Sequence, residues 1–280
     1  METPQERKYL SEQELARLQQ ILLEMILEVD RICKKHHITY YLGGGTLLGA
    51  VRHQGFIPWD DDADLIFRRE DYVKFRRVVK KELDPRYFYQ DRGTDPYAHY
   101  VNPKIRRNGS VYVTEFGAKQ TKMHQGIFLD IFIHDATAKS RFFQKLHLLE
   151  TKACRAMLVA TWSQKQYDRK PRWFYGAVNF LIRHSRVTTW EKQTDWALTR
   201  YRGRRTGYYY DGTGEHIDHG AFPSAWLGRP KQASFCGHLL PIPSDAHRYL
   251  TYSYGDYQKL PPEEERVANH AIVKLQFPND

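Results

Sequence analysis

The sequence predicts a mixed α/β (α+β) fold in which short strands alternate with amphipathic helices. Apolar strand-like runs occur at 38–42, 62–67 and 126–135, and glycine, proline or aspartate residues border them. Helically spaced apolar residues precede the first run, over 11–35, and follow the second run, over 70–83. At 280 residues the chain can bury a full core. We therefore predict a mixed sheet with flanking helices.

The predicted additions to this sheet are an N-terminal helix and a helical insertion. Ser11 and Glu14 match a capping box, and the apolar residues that follow recur every three to four positions, so we predict a helix over 11–36. Successive helical segments predict an insertion at about 139–203. With both additions included, we predict a single domain of residues 1–280.

The middle of the chain predicts a β-hairpin. Short strands are expected at 87–91 and 99–106, and a third at 111–114. The dipeptide Asn108-Gly109 between the last two is a turn signal, so we expect 111–114 to return alongside 99–106.

A glycine cluster opens the most informative stretch, residues 40–67, YYLGGGTLLGAVRHQGFIPWDDDADLIF. Gly44 and Gly45 have no Cβ and would let backbone amides approach an anion closely. The segment from Thr46 has helical spacing, so its first amides would point at the same anion. This pattern predicts a phosphate-binding turn.

An acidic cluster closes the same stretch. On a strand, Asp60, Asp62 and Asp64 would share one face, while Asp61 and Ala63 would take the other. Like charges on one face repel one another, and carboxylates in register form a hard-oxygen site that suits Mg²⁺ or Mn²⁺. A strand, a glycine turn and an Asp-x-Asp strand together are the arrangement of the nucleotidyltransferase fold.

A further aspartate lies within the apolar run 126–135, GIFLDIFIHD. A charge at Asp130 would cost several kcal/mol unless it were compensated. A metal ion shared with Asp62 and Asp64 would compensate it, and a structural ion pair is the alternative. We predict the metal role.

The segment GTLLGAVRHQGFIPWDDDAD resembles the signature of the LicD family, which the eukaryotic fukutin-related transferases share. The family pattern is G-x-L-L-G-x-x-R, a spacer and I-P-W-D-x-D-x-D, and each part stands here at matching spacing. The later segments PIPSDAHRYL and TYSYGDYQKLPP resemble the family's closing pattern. The resemblance implies transfer of a substituted phosphate, most often phosphocholine from CDP-choline, onto a hydroxyl of a cell-surface glycan or its lipid-linked precursor. Such glycans include lipopolysaccharide and teichoic acid, and CMP would be released.

The residues of this site have predicted roles in phosphoryl transfer, which asks a protein mainly for positioning and charge neutralisation. The predicted catalytic residues and metal ligands are Asp62, Asp64 and Asp130. The predicted ligands of the donor phosphates are Gly44, Gly45, Thr46, Arg52 and Lys104. Asp60 is expected to orient the metal ligands.

Three alternatives stay open. The donor could be CDP-glycerol or CDP-ribitol, because a metal core binds the diphosphate and not its substituent. Nucleotidylyl transfer would attach the nucleotide itself and release pyrophosphate. A protein without activity would instead be a basic binder of glycan or nucleic acid.

Net charge and cysteine content indicate which partners the protein can bind and in which redox compartment it functions. The net charge of +10 suits anionic nucleotides, glycans or membranes, and no nucleic-acid module is recognisable, so no nucleic-acid partner is expected. The three cysteines have no C-x-x-C spacing, which favours a reducing compartment over a disulfide framework.

The start of the chain lacks the apolar core of a signal peptide, and we expect a cytoplasmic protein. The basic and aromatic segment 170–186 has the composition of an interfacial membrane helix as well as that of a core helix with polar ends. Peripheral contact with the inner face of a membrane is therefore a hypothesis.

Overall fold

The computed structural model describes residues 10–118, 120–163, 172–268 and 270–279. Contacts divide the chain into two compact units, the first formed by Met1–Ile133 with Ser224–Asp280 and the second by His134–Pro223. The predictions of a single domain and of an insertion at 139–203 remain predictions.

Helices and strands alternate along the chain, which confirms the mixed α/β prediction. The helices are α1 (Glu12–Lys35), α2 (Gly44–His53), α3 (Arg69–Glu82), α4 (Glu115–Ala118), α5 (Arg141–Ser163), α6 (Arg172–His184), α7 (Val187–Thr199) and α8 (Ala246–Tyr254). The strands are β1 (Tyr41–Leu42), β2 (Asp64–Arg68), β3 (Tyr87–Gln90), β4 (Lys104–Arg107), β5 (Val111–Thr114), β6 (Phe128–Ala136), β7 (Tyr208–Asp211), β8 (Ala221–Pro223), β9 (Lys231–Phe235), β10 (His238–Ile242) and β11 (Ile272–Gln276).

The main sheet of the first unit has the strand order β1-β2-β6-β4-β3. Strand β1 is antiparallel to β2, and β4 is antiparallel to both β6 and β3. Lys104 of β4 is the register partner of Asp130 of β6, and the amide of Asp130 donates to the carbonyl of Ala63 just before β2. The order therefore places the two predicted acidic segments on neighbouring strands.

Helix α1 starts at the predicted capping box. The Ser11 hydroxyl accepts from the Glu14 amide at 3.2 Å, and the Glu14 carboxylate accepts from the Ser11 amide at 3.0 Å. Its apolar face is buried, and Gln19 donates through Nε2 to the carbonyl oxygen of Asp60 at 2.9 Å. The helix thus stabilises the unit and also holds the start of the acidic segment.

The predicted pairing of 111–114 with 99–106 is wrong. Strand β5 pairs with β11, residues Ile272–Gln276, and the chain turns away from the sheet at Gly109, where φ is 74°. Both edges of β4 are already occupied, one by β3 and the other by β6. A local turn signal cannot reveal that occupancy, and so β5 takes its partner from the C-terminal end of the chain.

The second unit contains α5, α6 and α7 with β7 and β8, and β7 pairs with the last residues of β6. His147 of α5 lies in its interior, 2.9 Å from the hydroxyl of Thr137 and 2.7 Å from the carbonyl oxygen of Ala197 on α7. Among the residues that the structure describes, no helix is both long and apolar enough to cross a membrane.

Candidate active site

The acidic segment connects the loop after α2 to strand β2, and two contacts fix it. Strand β2 begins at Asp64, two residues later than predicted, so Asp62 lies in an extended segment before the strand. Thr46 on α2 accepts from the Asp64 amide at 2.8 Å, and Gln19 on α1 binds the Asp60 carbonyl. Asp60 is only 2% exposed. The segment is therefore held against α1 and α2.

The glycines at the start of α2 leave room for two of these carboxylates. A Cβ on Gly44 would lie 2.0 Å from Oδ2 of Asp64, and a Cβ on Gly45 would lie 2.6 Å from Oδ2 of Asp60. Gly44 also has φ +46°, a conformation that side chains disfavour. The space that the sequence assigned to a phosphate holds the protein's own carboxylates here. Phosphate binding by these glycines stays a prediction.

Two other predicted phosphate ligands have different surroundings. Thr46 is 1% exposed, and its hydroxyl is engaged with the Asp64 amide. Arg52 follows Gly44 by eight residues, which is about 12 Å along an α-helix. It donates through Nη1 to the carbonyl of Tyr257 at 2.9 Å and through Nε to His53 at 2.9 Å. The structure does not bring Arg52 to the acidic cluster.

The negative charge of Asp130 is balanced by the positive charge of a lysine, Lys104. Oδ1 of Asp130 forms an ion pair with Nζ of Lys104 and accepts a hydrogen bond from the side-chain Nδ2 of Asn102. Lys104 is itself buried, with Nζ 4.1 Å from the ring centroid of Phe128 and 4.6 Å from that of Tyr100. The sequence suggested that a metal ion would balance the charge of Asp130. In the structure, Lys104 on the neighbouring strand β4 balances that charge.

The three alternate aspartates lie in surroundings that disfavour their charges. Burial raises the pKa of Asp60, and the neighbouring carboxylate of Asp62 raises it further. Burial likewise raises the pKa of Asp62 and, more strongly, that of Asp64, which also faces the charges of Asp62 and Asp130. Lys104 opposes this shift at Asp64 only in part. The cluster therefore has more negative charge than its protein surroundings balance.

This donor set fits a hard divalent cation in chemistry and charge, because carboxylate oxygens are the ligands that Mg²⁺ and Mn²⁺ prefer. Within the described part of the chain, however, no three His, Cys, Asp or Glu side chains are gathered closely enough to hold a metal ion. The identity of the metal ligands therefore remains a prediction.

A second group of contacts surrounds Asp61, and the sequence did not predict it. Asp61 accepts from the hydroxyl of Tyr112 at 2.8 Å, and its other oxygen lies 3.2 Å from Nδ1 of His270. Nδ1 of His270 is also 3.8 Å from Asp62. Burial lowers the pKa of His270, but its hydrogen bond to Asp61 and the charge of Asp62 raise the pKa overall.

The pairing of β5 with β11 explains how these residues meet. Tyr112 lies on β5, and His270 stands two residues before β11, so the strand pair brings both to the acidic segment. The sequence contained one signal, a histidine after the closing segment that resembles the family pattern. Because β11 had not been predicted, nothing connected that histidine to Asp61.

The repulsion in the cluster predicts that Asp60→Asn stabilises the metal-free protein. A carboxyl group with a raised pKa binds its proton more tightly when folded, so wild-type stability falls as the pH rises above about 4. We expect the variant's free energy of unfolding in EDTA to exceed that of the wild type at pH 8 by on the order of 1 kcal/mol. The difference should shrink at pH 5.

Urea denaturation at the two pH values measures this difference. Asp71→Asn is the matched control, because Asp71 is equally buried but is paired with Arg68 and Lys74. The control should lose stability at both pH values. An Asp60→Asn protein that is less stable than the wild type at pH 8 would contradict the proposed repulsion.

Known protein families and individual proteins have sequences similar to this chain. Residues 37–157 match the family described as LicD/FKTN/FKRP, nucleotidyltransferase domain. The chain is 29% identical over 263 residues to the lipopolysaccharide cholinephosphotransferase LicD of Haemophilus influenzae, covering 91% of this chain and 95% of that protein. Uncharacterized proteins of Rickettsia typhi and Rickettsia prowazekii are 41% and 40% identical over 58 residues, about a fifth of each chain.

The matched family domain contains α2, the acidic segment, β4 and most of α5, and so includes every predicted site residue, whereas His270 lies outside it. Together, the α+β fold, the buried carboxylate cluster and these comparisons define the protein as a transferase. Residues 37–157 are a domain of the LicD family, and the chain is similar to a LicD transferase along most of its length.

Proposed function

We propose that this protein transfers phosphocholine from CDP-choline to a hydroxyl of a cell-surface glycan or its lipid-linked precursor and releases CMP. The observation that carries the proposal is the similarity to the Haemophilus influenzae lipopolysaccharide cholinephosphotransferase, which runs through nearly the whole length of both chains. The buried carboxylate cluster lies within the part of the chain that matches the family domain.

The charge balance of the site supports a diphosphate donor bound with a divalent cation. Asp62 and Asp64, with Asp130, are the residues that would hold Mg²⁺ or Mn²⁺. When bound, the cation would neutralise charge on the diphosphate of the donor. Asp60 lies against Gly45 and next to Asp62, where it can orient that neighbour's carboxylate.

Lys104 has two roles in the proposed site. It holds Asp130 through the ion pair, and its positive charge also acts on Asp64. A positive charge already fixed beside the reacting phosphate stabilises the negative charge that develops during transfer, at no reorganisation cost. The predicted role of Arg52 at the donor phosphates would require it to leave its present contacts with His53 and the carbonyl of Tyr257.

In the proposed reaction, a hydroxyl oxygen of the acceptor attacks the phosphorus that carries choline. A new P–O bond forms, the P–O bond to CMP breaks, and the bonding electrons leave with CMP. The hydroxyl proton passes to a carboxylate of the cluster. We assign this task to Asp130, whose Oδ1 is held by Asn102 and Lys104.

The experiment that tests the proposal is CMP release from CDP-choline, CDP-glycerol and CDP-ribitol, with and without Mg²⁺ or Mn²⁺. A lipid-linked glycan extract serves as the acceptor, and the Asp62→Asn variant serves as the blank. We expect metal-dependent CMP release from CDP-choline that the blank lacks. Because the cysteine pattern favours a reducing compartment, we propose a cytoplasmic location.

Other results would redirect the assignment. CMP release from CDP-glycerol or CDP-ribitol alone would change the donor and keep the reaction class. Pyrophosphate as the released product would indicate nucleotidylyl transfer. No turnover of any donor, combined with salt-dependent binding of random DNA, would support the non-enzymatic alternative.

A further inference from the structure

Helix α5, residues Arg141–Ser163, buries several polar side chains together with apolar ones such as Leu148 and Leu158. On its buried side, Gln144 donates to the carbonyl of Ala138 at 2.9 Å, His147 binds Thr137, and Thr151 lies 3.2 Å from the Tyr210 hydroxyl. These contacts fix which side of the helix faces the interior. The opposite side of the helix is therefore exposed at the protein surface.

The exposed side of α5 carries large apolar side chains. Phe142 is 65% exposed, Leu146 47% and Leu149 66%. Their i, i+4, i+7 spacing forms one stripe, which exposed Ala153 continues at i+11. Single exposed apolar residues are common, but a continuous stripe on a helix indicates a binding surface.

Basic residues accompany this apolar stripe. Arg141 and Lys145 are exposed at i, i+4 spacing and occupy the adjoining row of the helix, and Lys139 is exposed just before the helix begins. The sequence of α5 contains four lysine or arginine residues and one acidic residue, Glu150, which is paired with Arg200. The surface therefore combines apolar side chains with an excess of positive charge.

We propose that the exposed face of α5 docks onto an anionic lipid surface. Large apolar side chains beside lysine and arginine are the combination by which an amphipathic helix lies in the membrane interface. Apolar side chains would enter the boundary of the acyl chains, while the basic row would contact anionic headgroups. A protein partner with an apolar groove would explain the stripe but not the basic row beside it.

This surface differs from the segment that the sequence suggested for membrane contact, residues 170–186. The side chains of residues 172–175, at the start of α6, lie outside the described residues. In the described part of α6, Phe180 is exposed, but its ring stacks on His184 at 4.2 Å. Among the side chains that the structure describes, α5 has the longer exposed apolar stripe, and the contacts of α5 with the interior are defined.

Vesicle flotation tests the proposal, which does not depend on the proposed reaction because it needs neither donor nor acceptor. The triple variant Phe142→Ser, Leu146→Ser, Leu149→Ser removes the stripe, and the double variant Arg141→Glu, Lys145→Glu reverses the charge of the basic row. Leu239→Ser is the matched control, because Leu239 is also 66% exposed but lies on β10. Circular dichroism melting verifies that each variant is folded.

We expect the wild type and the control to bind vesicles that contain phosphatidylglycerol, and to bind pure phosphatidylcholine vesicles weakly. The triple variant should lose at least about tenfold in partitioning. The charge variant should lose the preference for anionic vesicles. Wild-type protein that does not bind, or a triple variant that binds equally, would overturn the proposal. A wild-type dimer that the triple variant converts to a monomer would also overturn it, because the face would then be a protein interface.

Discussion

Asp64→Asn should reduce CMP release at least about 10³-fold while the fold is retained. Asparagine has nearly the same shape, so the close packing against Gly44 is preserved. What the substitution removes is the charge that would bind a cation beside the diphosphate. Asp62→Asn should have the same effect, because Asp62 belongs to the same cluster.

The stability of the Asp64 variant distinguishes loss of chemistry from loss of structure. Burial and the neighbouring carboxylates raise the pKa of Asp64, so the stability of the metal-free protein falls as the pH rises above about 4. We therefore expect Asp64→Asn to melt at the same temperature as the wild type in EDTA, or higher. Added Mg²⁺ or Mn²⁺ should raise the melting temperature of the wild type but not that of the variant.

Steady-state kinetics and thermal melts measure the two effects, with Asp71→Asn as the control that leaves the cluster intact. The control should keep most of the activity, although it loses stability. A variant at Asp62 or Asp64 that keeps more than about a tenth of the wild-type rate would contradict the assigned role, because loss of a metal ligand costs far more.

Local patterns in the sequence predicted the elements that build the site. The capping box predicted the start of α1, and the glycine cluster predicted a turn into a helix, which is α2. The alternation of Asp60, Asp62 and Asp64 predicted that these side chains would lie near one another, and the structure places Asp64 against Gly44 and Asp60 against the adjacent Gly45. Each of these features depends on neighbours in the chain, which a sequence displays directly.

Contacts between distant segments could not be predicted in the same way. Lys104 and Asp130 are 26 residues apart, and Asp61 and His270 are 209 residues apart. Each pair depends on which strands are neighbours, and strand order was not evident from alternation alone. The same limit explains why the sequence did not reveal that the carboxylate of Asp64 lies against Gly44.

Lys104→Met should destabilise the protein by about 3 kcal/mol or more, because it leaves Asp130 buried without its cation. Activity should fall as well, since Asp130 would lose its position and the charge beside Asp64 would disappear. Urea denaturation and CMP release measure the two losses. A variant of unchanged stability would show that the ion pair makes no net contribution.

The double variant Lys104→Met, Asp130→Asn separates the structural role of Asp130 from its proposed chemical role. Removing both charges leaves no unpaired ion, so most of the stability lost in Lys104→Met should return. Activity should not return, because the proposed reaction needs the carboxylate itself. Recovery of both stability and activity would show that Asp130 serves only as the partner of Lys104. The cation ligands would then be limited to the acidic segment before β2.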